Sequence, residues 1–137
     1  MVDSLAAADV AIVRTSTNND ADPARGFMGS LHKGRLDYSV AEQERLRALF
    51  AQVPTVLDIY LDRPAILTGL EPAALIGSYG TDDRPFVEVL FGDAKPQGRL
   101  PFDLPSSMEA VEAAREDVAF DTADPLFRFG FGLSYDS

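Results

Sequence analysis

The chain has 137 residues, 46% of them hydrophobic and 25% charged, with 22 acids against 12 bases and a net charge of −10. That length and apolar content suit one globular domain with one core, and the surplus of acid would repel the phosphates of a nucleic acid rather than release their counterions. The absence of cysteine excludes disulfides, thiolate metal sites and cysteine nucleophiles, and no apolar run approaches the roughly 18 residues of a transmembrane helix.

The opening, MVDSLAAADVAIVR, is acidic early and lacks the basic region of a secretory signal, so a cytoplasmic location is the default expectation. Residues 2–8 are alanine-rich and compatible with a helix. Val10-Ala11-Ile12-Val13 is a short continuous apolar run, the pattern of a strand buried on both faces. Residues 14–38 are polar, glycine-bearing and aperiodic, and a loop that long inside a compact domain is usually functional or disordered. Ser39-Val40-Ala41-Glu42 reads as a capping box. The helix behind it has Val40, Leu46, Leu49, Phe50 and Val53 at roughly helical spacing and stops before Pro54.

Thr55-Val56-Leu57-Asp58-Ile59-Tyr60-Leu61 is β-branched and aromatic, hence a strand, and residues 73–79 suggest another. Residues 85–91 read as a helix with Pro85 in its first turn and Gly92 at its C-terminal cap. The stretch FGDAKPQGRLPFDLPSS, residues 91–107, combines turn-forming glycines with stiffening prolines. It leads into a second capping box at Ser106-Ser107-Met108-Glu109 and a helix to about Arg115. A tail, residues 116–137, carries DPLFRFGFGLSY.

Strands alternating with helices imply right-handed crossovers and an α/β fold, a mostly parallel sheet with helices on both faces. Ligand sites in such sheets lie beyond the carboxyl ends of the strands. Those ends feed residues 14–38, the Asp62-Arg63-Pro64 turn and the Tyr79-Gly80-Thr81-Asp82-Asp83 turn. No glycine follows the first strand at Arg14-Thr15-Ser16-Thr17-Asn18-Asn19, so a dinucleotide fingerprint is absent. A Walker lysine motif and a nucleophile elbow are absent too, and neither a cofactor nor a metal is expected.

His32 is the sole histidine, and a structural or surface role is the simpler reading for it. The carboxylates Asp20, Asp22, Asp82 and Asp83 remain as candidates for acid–base work, which needs a pKa raised by burial or by a like charge; the same acids also serve as solvated loop residues or helix caps. Arg63 can pin the preceding loop, pair with a nearby acid, or simply belong to a strand-ending turn.

In chain order, Ala8-Asp9-Val10-Ala11-Ile12-Val13, Thr55 to Pro64, Val89-Leu90-Phe91-Gly92, Gly98-Arg99-Leu100-Pro101-Phe102, Asp124-Pro125-Leu126-Phe127 and Phe129-Gly130-Phe131-Gly132-Leu133-Ser134-Tyr135 form a set. Together these residues resemble the C-terminal α/β-sandwich domain of family 3 glycoside hydrolases, the β-glucosidase family. The resemblance covers nearly the whole chain, taken as one domain over residues 1–137, and implies an incomplete copy of the family domain. It implies a partner, a catalytic (β/α)8 barrel that carries the nucleophile, and a β-glucoside as substrate of the complete enzyme. It further implies that residues 14–38 are the loop reaching toward the barrel's active site, with Asp22 as the first match for the acid/base and Asp20 as the second. Met28 stands where relatives with the Phe27…His32-x-Gly34-x-Leu36 pattern carry an acid: either Asp22 takes that role or this copy has lost it. Arg25, Phe27 and His32 are the loop's candidates for substrate contact. Alone, the chain is expected to be inactive. The alternatives are a stand-alone module that self-associates through an exposed sheet edge or binds carbohydrate, and a small independent enzyme or metal-binding protein using Asp20, Asp22, Asp82 and Asp83.

Overall fold

The run of β-branched and apolar residues from Thr55 to Tyr60 forms the central strand of a three-stranded parallel sheet. The strands are β1 (Ala11–Ser16), β2 (Thr55–Tyr60) and β3 (Ala74–Ser78), in the order β1-β2-β3. The computed structural model describes residues 2, 4–20, 23–29 and 33–135. Among these residues three α-helices accompany the sheet: α1 (Val40–Phe50), α2 (Asp83–Leu90) and α3 (Met108–Ala113).

Alternation along β2 separates two faces. Leu57 and Ile59 enter a buried cluster with Leu46 of α1, Tyr38, Leu61, Ala65, Leu67 and Leu104, with Val13 and Phe50 packed against it. On the opposite face Asp58 is the register partner of Arg14, and the Arg14 guanidinium lies 4.8 Å from the centre of the Phe86 ring of α2. α1 and α2 therefore cover opposite faces, and the α/β reading holds.

Several local expectations change. The first strand is not buried on both faces: exposure alternates along β1, because the face that carries Ile12 and Arg14 is left partly open, and Ile12 and the preceding Val10 are 45% and 52% exposed. It also runs on through Arg14, Thr15 and Ser16, so the long loop begins later than expected. Among the described residues of the alanine-rich opening, Leu5–Ala7 forms a 3-10 turn rather than an α-helix.

Ser39 caps α1 through its hydroxyl, which accepts the Glu42 N–H at 3.2 Å. The second half of that capping box goes elsewhere, since the Glu42 carboxylate takes two hydrogen bonds from Arg45 at 2.7 and 2.8 Å. Val40 faces solvent rather than the core. Ser107, not Ser106, caps α3, accepting the Ala110 N–H at 3.1 Å.

The proline-rich stretch is more than a connector. Leu100 N–H donates to Phe131 O (2.9 Å), Gly130 N–H to Leu100 O (2.8 Å), Leu104 N–H to Phe127 O (2.8 Å) and Leu126 N–H to Leu104 O (2.8 Å). The stretch thus forms an extended arm to which the aromatic tail is laced, with Phe127 and Phe131 stacked at 4.6 Å. Asp103, buried in the arm, accepts the Phe129 N–H at 2.6 Å.

Candidate active-site loop

The carboxyl ends of β1 and β2 meet where the long loop departs. Thr17, buried just after β1, donates its backbone N–H to Tyr60 O at 3.2 Å and its hydroxyl to the Asp62 carboxylate. Farther along, the outgoing and returning limbs of the loop pair with each other. Asp20 N–H donates to Lys33 O at 3.0 Å, and Arg35 N–H to Asp20 Oδ2 at 2.9 Å. The Asn18 side-chain amide donates to Arg35 O at 3.1 Å and Asp20 Oδ1 at 3.3 Å.

Gly34 is required in this stem. Its φ is +87°, in the left-handed region that glycine adopts without a Cβ penalty, and a Cβ there would run into the Asp20 carboxylate. Arg63, three residues beyond the end of β2, closes the stem. One terminal nitrogen donates to the carbonyls of Asn18, Lys33 (3.1 Å) and Arg35 (3.0 Å), and the other to Gly34 O (3.2 Å). Of the readings open for Arg63 in the sequence, the loop-pinning one is the one realised.

The returning limb is tied down again beyond the stem. Ile66 N–H donates to Leu36 O at 3.0 Å. The Arg35 fork binds both oxygens of Asp37 at 2.7 Å, which holds that carboxyl below its ordinary range. Tyr38 is buried, its phenol donating to Ser16 O at 2.7 Å, and burial pushes that phenol up.

Between the limbs, Pro23–Gly29 forms two 3-10 turns meeting at Gly26 (φ 58°, ψ −139°). Phe27 there is 80% exposed and Met28 is exposed beside it; Arg25 falls in the same segment. Asp22 and His32 lie outside the described residues. Asp20 is engaged in the stem. Asp82 and Asp83 belong to α2 instead: Asp82 caps it, accepting the Asp83 N–H at 2.8 Å, and Asp83 pairs with Arg14. The described members of the four-aspartate set therefore lie apart, Asp20 in the loop stem and Asp82 and Asp83 at α2, and among the described residues no cluster of three or more His, Asp or Glu side chains could hold a metal. No helix among them is long and apolar enough to cross a membrane.

Residues 1–135 match the model of the glycosyl hydrolase family 3 C-terminal domain. The chain belongs to this family. Among curated proteins it is similar to a probable beta-glucosidase C of Aspergillus flavus, 46% identical over 98% of this chain and 22% of that protein. It is also similar to beta-glucosidase C of Emericella nidulans, 42% identical over 99% of this chain and 22% of the relative. A periplasmic beta-glucosidase/beta-xylosidase of Dickeya chrysanthemi is 37% identical over 93% of the chain and 20% of its own length. The chain thus spans about a fifth of the length of these relatives.

Sequence reasoning passed over two residues of this family 3 domain that the structure brings forward. Asp58 is 2% exposed and bonded by Arg14; an acid interrupting the apolar run Thr55–Tyr60 was the signal. Asn18 joins the two loop limbs, and nothing in its neighbourhood distinguishes it from any other polar loop residue.

Proposed function

We propose that the chain is the accessory C-terminal domain of a β-glucosidase-like glycoside hydrolase. It packs beside a catalytic barrel that supplies the nucleophile, and lends to the shared site the loop of residues 14–38. The observation that carries this reading is the loop itself. Its base is cross-linked at the carboxyl ends of β1 and β2, where parallel sheets bind ligands, while Phe27 and Met28 stand exposed beyond it. Membership of the family and the β-glucosidase relatives support the same reading.

In the retaining reaction one carboxylate attacks the anomeric carbon and forms a glycosyl ester while a carboxylic acid protonates the departing glycosidic oxygen; the latter group, now a carboxylate, then takes a proton from a water that attacks the same carbon and breaks the ester. The two carboxyls stand about 5–5.5 Å apart. Asp22 is the candidate for the acid/base in this chain, and Phe27 offers an apolar ring against which a sugar face can rest. Arg25 and His32, on the same loop, are candidates for contacts to sugar hydroxyls.

The chain alone is expected to leave a chromogenic β-glucoside intact, and with its catalytic domain to hydrolyse it. Asp22→Asn in that assembly should slow substrates with poor leaving groups far more than activated aryl glucosides. Turnover by the chain alone, abolished by Asp22→Asn, would overturn the accessory reading; an unchanged leaving-group dependence would reject Asp22 as the acid.

A second reading draws on the exposed β1 edge with Val10 and Ile12: a module that self-associates strand to strand. Sedimentation over a hundredfold concentration range separates the two, since this reading requires a concentration-dependent dimer from the chain alone.

A further inference from the structure

We propose that Arg63 is a positioning residue for the glycosidase reaction, the clamp that sets the direction in which the loop of residues 14–38 leaves the sheet. The proposal rests on the reading of that loop as part of the active site. Four backbone carbonyls, from Asn18 on the outgoing limb and from Lys33, Gly34 and Arg35 on the returning limb, converge on one guanidinium. Hydrogen bonds from a cation to a carbonyl are about twice as strong as neutral ones, and here one rigid planar group spans both limbs. Such a fork is pre-organised in a way that a lysine ammonium is not.

The anchor is placed to be stiff. Arg63 follows Leu61 and Asp62 at the end of the best-buried strand, and Pro64 disfavours a helical backbone at Arg63. Its Nε is buried with no partner among the described residues, so the side chain is held in place by what its two terminal nitrogens grip. Among the described residues the limbs are also joined by the Asn18 and Asp20 bonds and by the weak approach of Lys33 N–H to Asn19 Oδ1 at 3.4 Å. The clamp fixes the described limbs at their base, and in an active site a misplacement of about 1 Å costs on the order of 10²-fold in rate.

Two measurements test the proposal. In the chain itself, hydrogen exchange is compared between the parent, Arg63→Gln and Arg63→Lys. The clamp requires the Asp20 and Arg35 amides to exchange at least tenfold faster in Arg63→Gln, with partial recovery in Arg63→Lys and no change at Leu57 and Ile59. Unaltered exchange at Asp20 and Arg35 would overturn the clamp, and equal acceleration at Leu57 would show a general loss of stability instead.

In the assembly with the catalytic domain, Arg63→Gln should lower kcat on an alkyl β-glucoside at least tenfold more than on a dinitrophenyl β-glucoside, whose departure needs little proton assistance. Arg63→Lys should restore part of the difference. Faster exchange with an equal loss on both substrates would reduce Arg63 to scaffolding and refute the positioning role. A parent assembly that hydrolyses neither substrate refutes the glucosidase reading and with it the positioning role, while the exchange result still decides whether the clamp exists.

Discussion

Arg14 on β1 and Asp58 on β2 are register partners, and Arg14 Nε donates to Asp58 Oδ2 at 2.7 Å while Asp58 lies 2% exposed in the middle of the sheet. The same guanidinium reaches Asp83 at the start of α2 and lies over the Phe86 ring. One cation therefore joins two strands and the helix covering them, and the hydrogen bonds to Asp58 and then Asp83 hold its own pKa above the ordinary arginine value.

Removing one member of this pair should hurt more than removing both, because a lone buried charge is costly whereas an apolar replacement of the pair is often tolerated. Arg14→Met is expected to lower Tm by several degrees, and Arg14→Met with Asp58→Leu to recover most of that loss. A double variant no better than the sum of the two singles would show that the pair is not coupled.

Leu57 is fully buried at the centre of the core cluster. Leu57→Ala should cost about 2–5 kcal/mol, the range for a buried leucine whose cavity only partly collapses. Urea denaturation with an unchanged m-value measures it; a loss under 1 kcal/mol would mean that the core closes over the gap.

Asp103 links the proline-rich arm to the tail through the Phe129 N–H. Asp103→Ala leaves that N–H without its acceptor, at a cost of about 1–3 kcal/mol. Limited proteolysis should then cut the tail beyond Asp124 well before the core opens. Unchanged cleavage would assign the tail's order to its backbone pairs with Leu100 and Leu104 alone.

Gly34 and Gly92 both have positive φ, +87° and +83°, but a Cβ meets the Asp20 carboxylate at Gly34 and open space at Gly92. Gly92→Ala should cost about 1–2 kcal/mol, the left-handed penalty. Gly34→Ala should add to that penalty a displaced Asp20 and faster exchange at Arg35. Equal exchange at Arg35 in the two variants would show that Asp20 moves aside freely.

Arginine partners hold Asp37, Glu42 and Asp121 below the ordinary carboxylate range, through Arg35, Arg45 and Arg115 respectively. A depressed carboxyl contributes stability that is present above its unfolded value, about 4, and is lost as pH falls through the lower folded value. Tm should therefore decline below about pH 4, and Arg45→Gln should shrink the drop between pH 6 and pH 3. An identical drop in both proteins would leave Glu42 out of the acid limb.

The sequence by itself determined the strands, the alternation of strands and helices, the Ser39-capped start of α1 and the family, because these depend on local periodicity, short-range capping and ordered motifs. Leu57 and Ile59 could be assigned to a core from their run alone. Tertiary structure decided what the polar residues do. Incomplete cover of one face of β1 exposed Ile12 where the apolar run suggested full burial, since burial depends on neighbours that a strand's own residues do not specify. Tertiary structure drew Asp20 into a loop stem and Asp83 onto Arg14, and gave Arg63 carbonyls rather than a carboxylate. These last outcomes are choices of hydrogen-bond partner, and the partners arrive from segments distant in the chain, brought within reach only when the sheet assembles.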